Sequence, residues 1–150
     1  MSMQEQISAF NQAKVSLVES LKTELNQKLQ AIMQKMPTKI QSLGWTQYTP
    51  YWCDGDICEF GVNLDLLYIN GEYEDGGEID CHYPTTYDVV DGQYKDIPNP
   101  NYDAACGEPY EEFKGVLESI PQEFFKEIYG DHLTITVYRD RVDVEAFDHD

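Results

Sequence analysis

Apolar side chains recur at Ile7, Phe10, Ala13, Leu17, Leu21, Leu25, Leu29, Ile32 and Met36, a mean step of about 3.6 residues. This is the period of a straight α-helix rather than the 3.5 of a left-handed coiled coil. It predicts one helix over residues 3–36, greasy on one face, with Gln, Glu, Lys and Ser on the other and Pro37 as its stop. Such a helix is roughly 50 Å long at ~1.5 Å per residue, more than a domain of this size covers. Part of it is therefore expected to project, bend or pair with another copy. Ile7, Phe10, Leu17, Leu21, Leu25 and Leu29 are the candidate oligomerisation stripe.

After a linker from Thr38 to Gly44 the period drops to two. Cys58, Phe60, Val62, Leu64, Leu66 and Tyr68 alternate with Glu59, Gly61, Asn63, Asp65 and Leu67, which predicts a half-buried strand or two strands broken near residues 61–63. Asn70-Gly71 is a hairpin-turn pair, and the strand returning from Glu72 is poor in apolar residues, as an edge would be. Residues 81–107 carry Pro84, Pro98 and Pro100 without a period and read as a long loop. Gly107-Glu108-Pro109 opens a helix that turns Tyr110, Phe113, Leu117 and Ile120 inward. A restart at residues 119–122 carries Phe124, Phe125 and Ile128 to Gly130. Leu133, Ile135 and Val137, then Val142, Val144 and Ala146, form a closing hairpin around residues 139–141. The expected fold is α+β: a long N-terminal helix over 1–40, then an acidic domain over 41–150 whose antiparallel sheet comes from two β-hairpins. A second helix or helix pair packs on that sheet, and the whole chain is one folding unit.

Charge narrows the function. The 150 residues carry a net −18, yet 41% are apolar and 13% aromatic, so the chain is a folded acidic domain rather than a solvating tail. Residues 1–40 hold five lysines against three glutamates, a net +2; residues 41–150 hold five bases against 25 acids, a net −20. Within the latter, 54–112 has 16 acids and only Lys95, a net −15, and nine of the eleven tyrosines fall between Tyr48 and Tyr110. Phosphate backbones and anionic membranes would be repelled, so neither direct nucleic-acid binding nor membrane binding is expected. No leader pattern and no stretch of about 20 apolar residues is present, which sets a cytoplasmic location as the expectation.

Residues 45–56 are the densest candidate surface. Trp45, Tyr48, Tyr51 and Trp52 offer rigid contact area, and Asp54 and Asp56 on a glycine turn offer polar orientation. Glu72, Glu74, Asp75, Glu78 and Asp80 are the candidate steering carboxylates. Cys53, Cys58, Cys81 and Cys106 could supply four zinc ligands, but they lack the paired short spacing of ribbons and fingers, and reduced thiols are the ordinary expectation in a cytosolic chain. Catalysis has little support: Cys81 and His82 would point to opposite faces of a strand, His132 precedes a strand, His149 lies at the end, and no serine elbow or phosphate loop occurs.

The run from Trp45 through Tyr51 to Asp54-Gly55-Asp56 and Cys58-Glu59-Phe60, and the closing run from Tyr129 to Asp140, resemble small acidic accessory proteins of tailed bacteriophages. The resemblance covers about a third of the chain and carries no catalytic role. It implies a stoichiometric inhibitor that masks a basic, nucleic-acid-binding surface of a host or defence protein, as a DNA mimic in one form. Two alternatives stand beside it. One is a small-ligand or nucleotide sponge that uses a divalent cation; the other is a toxin-neutralising immunity protein.

Overall fold

Helix α1 (Met3–Lys35) starts where the Ser2 side chain accepts the backbone N–H of Glu5, and its last turn ends before Pro37. The computed structural model describes residues 1–73 and 78–149. Glu74 and Asp75, expected among the steering carboxylates, lie outside the described residues. No side chain of α1 before Leu25 is buried; Leu25, Leu29, Ile32 and Met33 enter the core. In packing terms the arm therefore ends near residue 24, and Leu25 and Leu29, expected in an oligomerisation stripe, are core residues instead.

The linker after α1 is pinned rather than loose. Arg139 Nη2 donates to the carbonyls of Met36, Pro37 and Ile40 at 2.8, 3.0 and 3.0 Å. Asn70, at φ +55° in its turn, accepts the N–H of Gln41 at 2.6 Å and donates to the Lys39 carbonyl at 2.8 Å. This delivers the chain to β1 (Leu43–Tyr48), the central strand of a five-stranded antiparallel sheet ordered β3-β2-β1-β6-β7. Its partners are β2 (Gly61–Ile69), β3 (Glu72–Tyr73), β6 (Leu133–Val137) and β7 (Val142–Ala146). A Cβ on Gly44 would stand 2.6 Å from the Ile135 carbonyl, so β6 approaches this closely only because the position is glycine.

Helices α2 (Ala104–Glu118) and α3 (Gln122–Tyr129) join α1 in the core. The Trp45 ring is 0% exposed and meets Phe113 of α2 and Phe125 and Tyr129 of α3 edge-on at 6.3, 6.0 and 5.9 Å. Its indole N–H donates to Gln47 Oε1 at 3.0 Å, and Gln47 Nε2 donates to the carbonyls of Phe125 and Gly130 at 3.0 and 2.7 Å. Gln47 is also fully buried, so a single amide satisfies the indole and the C-terminal end of α3 together.

The α+β class and the antiparallel sheet stand as expected. Four readings are corrected. Trp45 is a core residue of a buried strand, not a surface anchor. Residues 81–107 are not one loop: β4 (Thr85–Val90) and β5 (Gln93–Pro98) form a separate hairpin closed by Asp91-Gly92, both at positive φ. Helix α2 begins at Ala104 under an Asp103 cap, which makes Pro109 its sixth residue rather than its first. Strand β2 is one strand that starts after Cys58 and Phe60, and its pairing with β1 shifts register between Asn63 and Tyr68. Among the described residues, no helix is long and apolar enough to cross a membrane.

Replacing Gln47 by Leu leaves the buried Trp45 N–H unpaired and removes the side-chain bonds to the Phe125 and Gly130 carbonyls, and an unpaired buried group costs about 1–3 kcal/mol. The expected loss is about 2–4 kcal/mol with an unchanged denaturant slope in urea unfolding. A loss under about 0.5 kcal/mol would show that the amide is not what closes this end of the core.

Candidate functional site

Residues 49–60 connect β1 to β2, and they are organised from their base upward. Asp131, just past α3, accepts the Thr49 N–H at 2.7 Å, the Thr49 hydroxyl at 2.6 Å and the His132 N–H at 2.8 Å. Lys126 stands 3.6 Å from the same carboxylate. Partial burial pushes the Asp131 carboxyl up, but these donated hydrogen bonds and the His132 charge outweigh it and hold the group below its ordinary value. The other end of the connection is tied to α3, where Gln122 Nε2 donates to the Phe60 carbonyl at 2.8 Å.

Above this base sits a stack of rings. Tyr51 lies parallel to His149 at 4.4 Å and to His132 at 4.9 Å; Tyr48 packs on His149 at 4.1 Å and on Phe147 at 5.4 Å. The facing nitrogens His132 Nδ1 and His149 Nε2 are 2.7 Å apart, a hydrogen bond in which one ring donates and the other accepts. The tail is drawn to this end by the N–H of Phe147, which donates to the His132 carbonyl at 2.8 Å.

The tip is closed covalently. Cys53 and Cys58 form a disulfide, which corrects the expectation of four reduced thiols. Inside it the N–H of Asp56 donates to the Cys53 carbonyl at 2.9 Å, with Asp54 and Gly55 at φ +47° and +92° in the two central turn positions. Ile57, 90% exposed, stands on this closed loop with Asp54 and Asp56, and Trp52, 74% exposed, and Glu59 flank it on either side; all three carboxylates are exposed.

The expected anchors and steering groups do not form one patch. Tyr48, Tyr51, Trp52, Asp54 and Asp56 are brought together, and Trp45 is withdrawn into the core. Glu72 follows the Asn70-Gly71 turn at the other end of β2, whose nine residues span roughly 30 Å. Glu78 and Asp80 are exposed on the segment before β4, where Asp80 accepts from Asn101 Nδ2 at 3.0 Å. The residues missed from sequence are Asp131, His132, His149 and Ile57. The register of the last hairpin, Leu133 opposite Ala146, already implies that 132 and 147–149 meet beside the end of β1.

The four cysteines do not converge on a metal. Cys81 and Cys106 are buried and free; burial, with the hydrogen bond and proximity to Cys81, pushes the Cys106 thiol up to about 12, so it stays protonated at neutral pH. Among the described residues, no group of three or more His, Cys, Asp or Glu side chains is placed to hold a metal ion. What the loop offers chemically is contact: two apolar side chains and three carboxylates on a base fixed at both ends. No protein-family model, curated protein or solved structure matches the chain.

Two outcomes follow from this geometry. Because the Asp131 carboxyl is depressed in the fold, its contribution is complete above the unfolded carboxyl range, near pH 4, and is lost as pH falls through the folded value. Asp131→Asn should cost about 1–2 kcal/mol at pH 7, and the gap from wild type in urea unfolding should close towards pH 2; a gap that widens in acid contradicts the assignment. A disulfide closing so short a loop contributes about 2 kcal/mol. The Cys53→Ser/Cys58→Ser variant should therefore remain folded by circular dichroism with a stability loss of that size, and global unfolding on opening the bond would show that the loop has a wider structural role.

Proposed function

We propose that the chain is a non-enzymatic acidic binding protein that masks a basic surface of a partner protein, with the Cys53–Cys58 loop at the centre of the contact. The observation that carries this reading is the exposure of Ile57 inside the disulfide-closed loop and of Trp52 immediately before it, next to the stacked Tyr51, with Asp54, Asp56 and Glu59 exposed on the same segment. A tryptophan with an adjacent aliphatic group on a preorganised loop is the composition of an energetic hot spot, since little ordering entropy remains to be lost on binding. The net −18 directs such a surface to a basic partner and raises the rate of encounter.

The resemblance to phage accessory proteins supplies the setting: an inhibitor of a host or defence protein that acts by occupying the surface meant for nucleic acid. Acid at both ends of β2 suits general steering of that partner, with specificity left to the loop. In a host cytosol the disulfide would meet a reducing pool, so the contact in that setting tolerates an open Cys53–Cys58 pair.

The test is affinity capture from host lysate with the full chain immobilised, with and without reductant, at low salt and at about 0.15 M. A basic protein should be retained, its binding should weaken as salt rises, and Trp52→Ala should reduce retention at least tenfold, as loss of a hot spot does. Retention that ignores both salt and Trp52, or no retained partner at all, rejects the proposal.

A further inference from the structure

Along the projecting part of α1, Met3, Ile7, Phe10, Lys14, Leu17 and Leu21 follow one another at alternating steps of four and three, the spacing of interlocking side chains in paired helices. Phe10 and Leu17 are each 70% exposed. The chain lays its own α3 alongside without covering them: Phe10, Leu17 and Leu21 with Phe124 and Ile128 line a groove of about 680 Å3. The Lys14–Glu127 ion pair, 3.4 Å apart, crosses its wall.

We infer that this groove is filled by α1 of a second copy of the chain, running antiparallel. This inference is independent of the acidic-loop reading. Three observations select the occupant. The stripe is self-complementary: turned end for end about a two-fold axis near residue 12, it sets Met3 against Leu21, Ile7 against Leu17 and Phe10 against the aliphatic stem of Lys14, each pair occurring twice. Sliding the register by one heptad either sets Ile7 against Glu24 or leaves Leu17 and Leu21 uncovered. Over so short an overlap the drift between 3.6 and 3.5 residues per turn is small, so the two helices need not supercoil.

Charge selects the same partner and the same direction. Two chains of −18 repel one another over residues 41–150, which carry −20, whereas residues 1–40 carry +2. Contact through the arms is the approach that brings no acid against acid, and an antiparallel pair sends the acidic bodies to opposite ends. The area agrees as well. Covering the stripe and Phe124 removes on the order of 600 Å2 from each copy, about 1,200 Å2 for the pair, the lower end of specific interfaces. The dimer is therefore reversible and dependent on concentration.

Sedimentation equilibrium of the full chain over a wide concentration series tests this. The average mass should rise from 17.3 kDa towards twice that value. Ile7→Glu/Leu17→Glu, which opposes like charges in the antiparallel pair, should stay monomeric with its circular dichroism unchanged. Ile7→Lys/Leu17→Glu, which opposes unlike charges only if the helices are antiparallel, should associate at least tenfold more tightly than the double-glutamate variant. Glu19→Gln, which lines neither this groove nor the neighbouring pocket that holds Ile7, should behave as wild type. A wild-type chain that is monomeric throughout leaves the groove to some other protein and overturns the inference. It also fails if the double-glutamate variant dimerises like wild type, or if Ile7→Lys/Leu17→Glu is as monomeric as that variant.

Discussion

The indole of Trp45 enters the interior from the central strand of the sheet and brings an N–H that water cannot reach. That group has to be paired inside the protein, and the partner two residues along the same strand is the Gln47 amide. Because an amide both accepts and donates, Gln47 passes the requirement on to the carbonyls of Phe125 and Gly130 and so fixes the C-terminal end of α3 relative to β1. Phe113, Phe125 and Tyr129 close around the ring only with the helices in this position. The fold thus rests on a tryptophan and a glutamine that must face the same side of a strand, which the period of two supplies automatically.

The surface loop inherits its order from that arrangement. Residue 49 leaves the sheet one position beyond β1, and Asp131 leaves α3 one position beyond Gly130, so fixing α3 on Gln47 also fixes Asp131 against Thr49. Tyr51 is then held on the two histidines, and Trp52 and the disulfide turn stand clear of them. An exposed aromatic tip of this kind is held because its support is partly buried polar bonding at its base.

Elements with a strong period were legible in the sequence. The long helix, the Asn70-Gly71 turn, the short edge strand that follows it and the last hairpin all appear where pattern places them. β1 was not legible, because it is buried on both faces and therefore lacks alternation, and because its aromatic density resembles that of a binding loop. The β4–β5 hairpin failed for the opposite reason: it is exposed on both faces, so no apolar alternation marks it, although Asp91-Gly92 is the same kind of turn pair as Asn70-Gly71. Proline misled at residue 109, where the Asp103 cap had already started the helix one and a half turns earlier. Of the candidate site, the stretch from Tyr48 to Asp56 was legible. Its dependence on Asp131, His132 and His149 was not, since those contacts join residues more than 80 positions apart or fold back the last few residues of the chain.

The two tryptophans end up in opposite surroundings, one sealed among rings and the other standing in water on the loop. Their emission separates accordingly: Trp45 contributes a blue-shifted component closed to aqueous quenchers, and Trp52 a red-shifted one that quenchers reach. The chain therefore carries its own pair of optical reporters, the first following the integrity of the interior and the second following occupation of the loop, with no label added to either.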